Sequence, residues 1–195
     1  MPRSRNSDLR LVAALAGEMT DNYTNFFMAS SGASTAFIGL LFVGMSIVNT
    51  DDSNYATRER RIVLAGSAFL ALIDIFFVSV ISFAGGIKTL GAANLLMAVV
   101  GLVATGRLIP RAARAGNFAR DWPTRRLNLV FAGGSITLYT LQFVVAFVLL
   151  LNSQHSANII RLSLLILIGL YASALARAWE ITGIRNANAS NSSEN

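Results

Sequence analysis

A chain of 195 residues that is 54% hydrophobic and only 13% charged is too apolar and too poor in charge for an ordinary soluble domain, and its apolar residues fall in blocks. The absence of cysteine excludes disulfides, thiolate nucleophiles and sulfur metal ligands, and a single histidine, His155, excludes imidazole-rich metal sites. The formal charge of +6 raises nucleic acid as a partner, but the basic residues lie between apolar blocks, where phospholipid headgroups account for them, so no nucleic-acid binding is expected.

Residues 1–25 are polar. Within them Asp8 to Met19 is periodic, Ser7 is placed to cap it, and Leu11, Leu15 and Met19 fall on one stripe. The segment reads either as an amphipathic helix lying in the membrane interface or as a frayed tail. It lacks the short apolar core and small-residue cleavage site of a removable signal peptide, so the membrane helices themselves are expected to target the chain. The first apolar run, 26–48, carries no charge, and about 23 residues suffice to cross a ~30 Å hydrocarbon core as a helix. At helical spacing Ala29, Gly32, Ala36, Gly39, Val43, Ser46 and Thr50 follow one another at steps of three and four, so mostly small residues line one face.

After the polar loop from Asn49 to Arg61, the second run, 62–83, contains one charge-capable residue, Asp74. Ala84 to Gly91 reads as a tight connection, with two glycine-rich patches around Lys88. A third span, 92–108, is expected to end at Pro110, followed by the basic loop RAARAGNFARDWPTRR, which Pro123 closes. The fourth and fifth spans are 127–151 and 158–178, and residues 179–195 form a polar tail whose last stretch, NANASNSSEN, has the composition of disorder. The predicted fold is an all-α, polytopic membrane helix bundle with five transmembrane helices. Five spans do not divide into two inverted halves of the kind many transporters use.

Charge sets the expected orientation. The side holding the N-terminal segment, Lys88 and Arg161 carries five basic residues, and the side holding the first and third loops and the C-terminal end carries eleven. The second side is expected in the cytoplasm, giving N-terminus out and C-terminus in.

An intramembrane carboxylate is costly unless it is neutral or partnered, which singles out Asp74. It lies ~18 Å in from Ile62 at 1.5 Å per residue, and Asn94, Tyr139 and Gln142 count to a similar depth on the third and fourth spans. These four are read as one buried polar layer, serving either to bind or relay an ion or proton or only to lock helices together at roughly 1 kcal/mol. Asn128, Ser135, Tyr139 and Gln142 share one face of the fourth span, and Gly133 and Gly134 beside it either free carbonyls or permit close packing. Arg161 and Arg177 are expected to snorkel to headgroups, Trp179 to join the interfacial belt, and His155 to be solvated in its turn. No nucleophile elbow, phosphate loop, HExxH motif or paired intramembrane carboxylates occur, so no enzyme activity, cofactor or metal is expected. Arg111, Arg114, Arg120, Arg125 and Arg126 form a candidate surface for anionic lipid, although positive-inside bias alone accounts for them.

Two stretches, GASTAFIGLLFVGMSI and ALARAWEITGIR, together resemble an uncharacterised family of small bacterial integral membrane proteins. That resemblance implies a five-helix, multi-pass protein of the bacterial inner membrane. ASSGASTAFIGLLFVGMSIVNTDD is also similar to the first transmembrane helix of the Orai calcium channels, where one such helix from each subunit lines a central pore. The shared residues are Ala29, Ser30, Ser31, Ser34, Gly39, Val43, Met45 and Asp51. In that register the pore-facing positions fall on Gly32, Ala36, Gly39, Val43 and Ile47. Ile47 stands where that family has its selectivity glutamate, that family has four spans, and charge bias points this helix the other way, so the resemblance implies a pore helix without calcium selectivity.

The sequence therefore leads to a self-associating membrane protein, a channel or pore-like ion pathway lined by Gly32, Ala36, Gly39, Val43, Ser46 and Ile47, with Phe42 or Val43 as a hydrophobic gate. The alternative is a non-conducting scaffold that packs against partner membrane proteins.

Overall fold

The computed structural model describes residues 5–48, 55–84, 87–114, 122–151 and 156–192, and all of these are helical. The helices are α1 (Arg5–Val48), α2 (Tyr55–Ala84), α3 (Ile87–Arg114), α4 (Trp122–Leu151) and α5 (Ser156–Ser192). Side chains in 5–22, 47–60, 84–87, 111–129, 152–157 and 182–195 lie outside the described residues, as does that of Ile109. Five stretches are long and apolar enough to cross a membrane: Tyr23–Ser46, Arg61–Phe83, Lys88–Leu108, Val130–Leu151 and Asn158–Ile181. A bilayer offers the backbone no hydrogen-bond partner, so uninterrupted apolar runs of this length satisfy their own N–H and C=O groups as helices.

Helix ends differ from the expected ones where a local breaker is outweighed by its surroundings. Of the connection expected over Ala84 to Gly91, Ala84 belongs to α2 and Ile87, Lys88, Thr89, Leu90 and Gly91 belong to α3. Gly91 is there for contact and not for a turn: a Cβ on it would lie 3.2 Å from Leu150 and 3.3 Å from Leu149, so its missing side chain lets α3 approach α4. Pro110 does not end α3, which runs on to Arg114. Near a helix end proline removes a single backbone hydrogen bond, to the carbonyl of Gly106, whose own side-chain position is open. The first helix is continuous from Arg5 into its span, and the last continues as a helix to Ser192, where composition pointed to disorder.

The principal helix contacts are α2 with α3, α3 with α4, α4 with α5 and α5 back to α2, which closes a four-helix bundle. α1 stands outside that ring and packs mainly on α2. A small apolar cluster of Leu64, Ala65 and Ile181, with Leu41 and Phe131 against it, gathers the end of α1, the starts of α2 and α4 and the end of the α5 span. Successive spans therefore alternate in direction. The main core runs along the bundle through Ala68, Ala71, Ile75 and Val78 of α2, Ala93 and Met97 of α3, Leu149 of α4 and Leu167 and Leu170 of α5.

Candidate functional site

Polar side chains enter this apolar core at several heights, three of them along the faces where α2, α4 and α5 meet. The alternating directions make α2 and α4 parallel, and they stand diagonally across the bundle. Ser67 and Asp74 of α2 are each matched by the α4 residue 68 positions on, Ser135 and Gln142. Seven residues, close to two turns or ~10 Å, separate the two levels.

At the deeper level Asp74, Asn94 and Gln142 are each 1% exposed. Gln142 Nε2 donates to Asp74 Oδ1 at 3.0 Å and to Asn94 Oδ1 at 3.3 Å, and Asn94 Nδ2 donates to the Leu90 carbonyl at 3.0 Å. Three of the four residues expected in a polar layer thus meet across three helices. Tyr139 is equally buried one turn before Gln142, and its hydroxyl has no hydrogen-bond partner among the described residues. Its ring fills the space left by Gly101 of α3, where a Cβ would fall 2.4 Å from the ring carbons.

Arg177 supplies the other level, and here the expectation of a snorkelling anchor is overturned. It is 3% exposed, and its guanidinium donates to the Ser67 carbonyl at 3.0 Å, to the Phe131 carbonyl at 3.3 Å and to Ser135 Oγ. The Phe131 ring lies 5.9 Å from the guanidinium carbon. The reason is helical phase: Leu170, Ala174, Arg177 and Ile181 follow at steps of four and three and are all buried, so Arg177 sits on the inner face of α5. That spacing was legible beforehand. Arg161 and Trp179, on other faces, are exposed. A third level carries two hydroxyls, Ser79 of α2 and Ser163 of α5, both buried and without a partner among the described residues. Counting from the Ser67 contact with Arg177 along these antiparallel helices places the two within roughly 3 Å in height.

The small-residue stripe of α1 is elsewhere. Gly32, Ala36, Gly39, Val43 and Ser46 are all exposed, and nothing lies within 4 Å of a Cβ built on Gly32 or Gly39. Phe42, at 71%, is among the most exposed apolar residues. The seam α1 makes with its own chain uses Phe27, Ser30 and Ser34, with Phe37, Ile38 and Leu41 half-buried. Tyr171 of α5 donates to the Ser30 carbonyl there and meets Phe37 edge-on. Neighbouring spans of the same chain therefore leave the stripe bare. Gly133 and Gly134 are likewise exposed and helical, with open space at both. The side chains of Ile47, Asn128, His155 and the five arginines proposed for anionic lipid lie outside the described residues.

Fold and site define a polytopic, all-helical membrane protein that holds Asp74 and Arg177 inside its bundle. Among the described residues, no group of three or more His, Cys, Asp or Glu side chains is placed to hold a metal ion. No protein-family model, curated protein or solved structure matches the chain.

Proposed function

We propose that copies of this chain assemble in the bilayer through the bare face of α1 and that the assembly is a channel or pore-like ion pathway. Gly32, Ala36, Gly39, Val43, Ser46 and Ile47 line it, with Phe42 or Val43 as a hydrophobic gate. The observation that carries this reading is the exposure of a long small-residue face on the one helix outside the four-helix ring. Such faces let helices approach closely in lipid, and cyclic symmetry closes the assembly. The resemblance to the first helix of the Orai channels supports the same face. In this reading the chain resides in a bacterial inner membrane with its N-terminus out and C-terminus in, and the basic third loop meets anionic lipid.

One observation favours a non-conducting scaffold. The hydroxyls near the exposed face donate to their own helix, Thr35 to the Ser31 carbonyl at 2.8 Å and Ser46 to that of Phe42 at 2.9 Å, which leaves no O–H for an anion, and Gly32, Ala36, Gly39 and Val43 along the rest of that face carry no polar side chain at all. Ion flux into liposomes carrying purified protein decides between them. Flux that falls in a Gly39→Leu variant of unchanged melting temperature supports the pore. An oligomer with no flux of any small ion in either polarity supports the scaffold, and a strictly monomeric protein removes the pore.

A further inference from the structure

Inside the bundle, apart from α1, donors and acceptors do not balance. Asp74 Oδ2, Gln142 Oε1 and the Tyr139 hydroxyl are all buried without a hydrogen-bond partner among the described residues. They belong to side chains one helical turn or one hydrogen bond apart. The Gln142 oxygen can only accept, as can an ionised Asp74 oxygen, so that of these three unpartnered atoms only the Tyr139 oxygen carries a hydrogen to donate. Two acceptors facing one donor leave one place for a positive charge. Polar groups this deeply buried are ordinarily satisfied, and an intramembrane carboxyl marks a site unless something else completes it.

We propose that the Asp74, Asn94, Tyr139 and Gln142 layer is an exchangeable site for one small monovalent cation, a proton or a sodium ion. Asp74 carries the compensating charge, the Gln142 and Tyr139 oxygens complete the shell, and Asn94 holds the Gln142 amide in place. The charged or titratable groups on the described spans packed around Asp74 are few: the spans of α1 from Phe26 to Ser46 and of α3 from Thr89 to Gly106 contain none, α4 presents Tyr139, and α5 presents Arg177 two turns away and, near the height of Asp74, Tyr171, whose hydroxyl turns to the Ser30 carbonyl of α1. Arg177 is a fixed positive charge on that side and opposes entry of a cation from there. The buried hydroxyls of Ser79 and Ser163 lie on the other side and form the first polar step of an approach from the Lys88 end.

Infrared difference spectroscopy on reconstituted protein tests this, first between acidic and alkaline buffer and then between sodium and choline at fixed pH. A protonated-carboxyl band that is lost in alkali and missing from Asp74→Asn is the expected result. If sodium also removes the band at fixed pH, the site takes sodium in competition with the proton; if sodium leaves it unchanged, the site takes the proton alone. An Asp74 band that ignores both pH and sodium, or no Asp74-dependent band at all, overturns the proposal, because the carboxyl then keeps one state and only locks helices. Should Asp74→Asn fail to fold, Gln142→Leu provides the comparison, since loss of the Oδ1 hydrogen bond shifts the same band to higher frequency. The readout does not depend on assembly through α1, so its failure and that of the proposed pore are separable.

Discussion

Arg177 reaches three partners, yet none of them depends on it. Ser67 and Phe131 offer carbonyls that belong to their own helices, and Ser135 Oγ already donates to the Phe131 carbonyl at 2.6 Å. Removing the guanidinium therefore strands no polar atom, and the cost of Arg177→Ala is mostly the cavity it leaves, ~2–3 kcal/mol. Arg177→Met fills that space without desolvating a charge and should cost less than about 1 kcal/mol, or stabilise. Denaturation of the two variants in detergent measures the difference. Equal, large losses would mean that the charge itself holds the bundle, through its hydrogen bonds and its place over the Phe131 ring. Asp74 is the opposite case, since its Oδ1 is one of the two acceptors of Gln142 Nε2 and its loss leaves that donor with Asn94 alone.

Among the elements, α3 and α4 approach most closely at two glycines. Gly91 admits Leu149 and Leu150, and Gly101 admits the ring of Tyr139. Gly101→Ala places a methyl group inside that ring, and the ring, buried on all sides, has nowhere cheap to go, so the expected loss is ~1–3 kcal/mol. Gly39→Ala on the open face of α1 meets nothing and gains up to about 1 kcal/mol from helix propensity. A melting comparison of the two checks this: equal effects would mean that Gly101 is not a close contact. The same contrast explains what the sequence could reveal about these elements. Apolar block length delivered five spans, because hydrogen-bond satisfaction in lipid leaves a helix little choice. Spacing alone could not say which glycine is a contact and which is open. The stripe of Gly32, Ala36 and Gly39 was the most conspicuous small-residue pattern and proved free of intrachain packing, whereas Gly91 looked like part of a turn and proved to be a contact.

At the scale of the whole molecule, counting depth along the spans was enough to bring Asp74, Asn94 and Gln142 to one level, because straight helices of known rise convert residue number into height. Position around the axis was harder to read. Arg177 was assigned to headgroups by its nearness to the span's end, although its phase with Leu170 and Ala174 pointed inward. Orientation across the bilayer is open to direct measurement because the chain has no cysteine, so any one introduced is a unique label. With the basic end in the cytoplasm, Lys88→Cys should react with an impermeant thiol reagent applied to intact cells and Arg107→Cys only after permeabilisation. The reverse pattern would invert the topology and with it the side from which the buried carboxyl is approached.

The hydrogen bond from Gln142 to Asp74 joins helices that are two apart in the chain, with α3 turning back between them. Until the fourth helix has been made, Asp74 lacks the one side-chain donor it has in the finished bundle, and so does Asn94. The fifth helix arrives last and carries a full positive charge to a seat whose carbonyl and hydroxyl groups the second and fourth helices have already set out. A chain that ended before residue 156 would lack both the guanidinium and the two helix contacts that close the ring, so the last helix to be made is the one that completes the bundle.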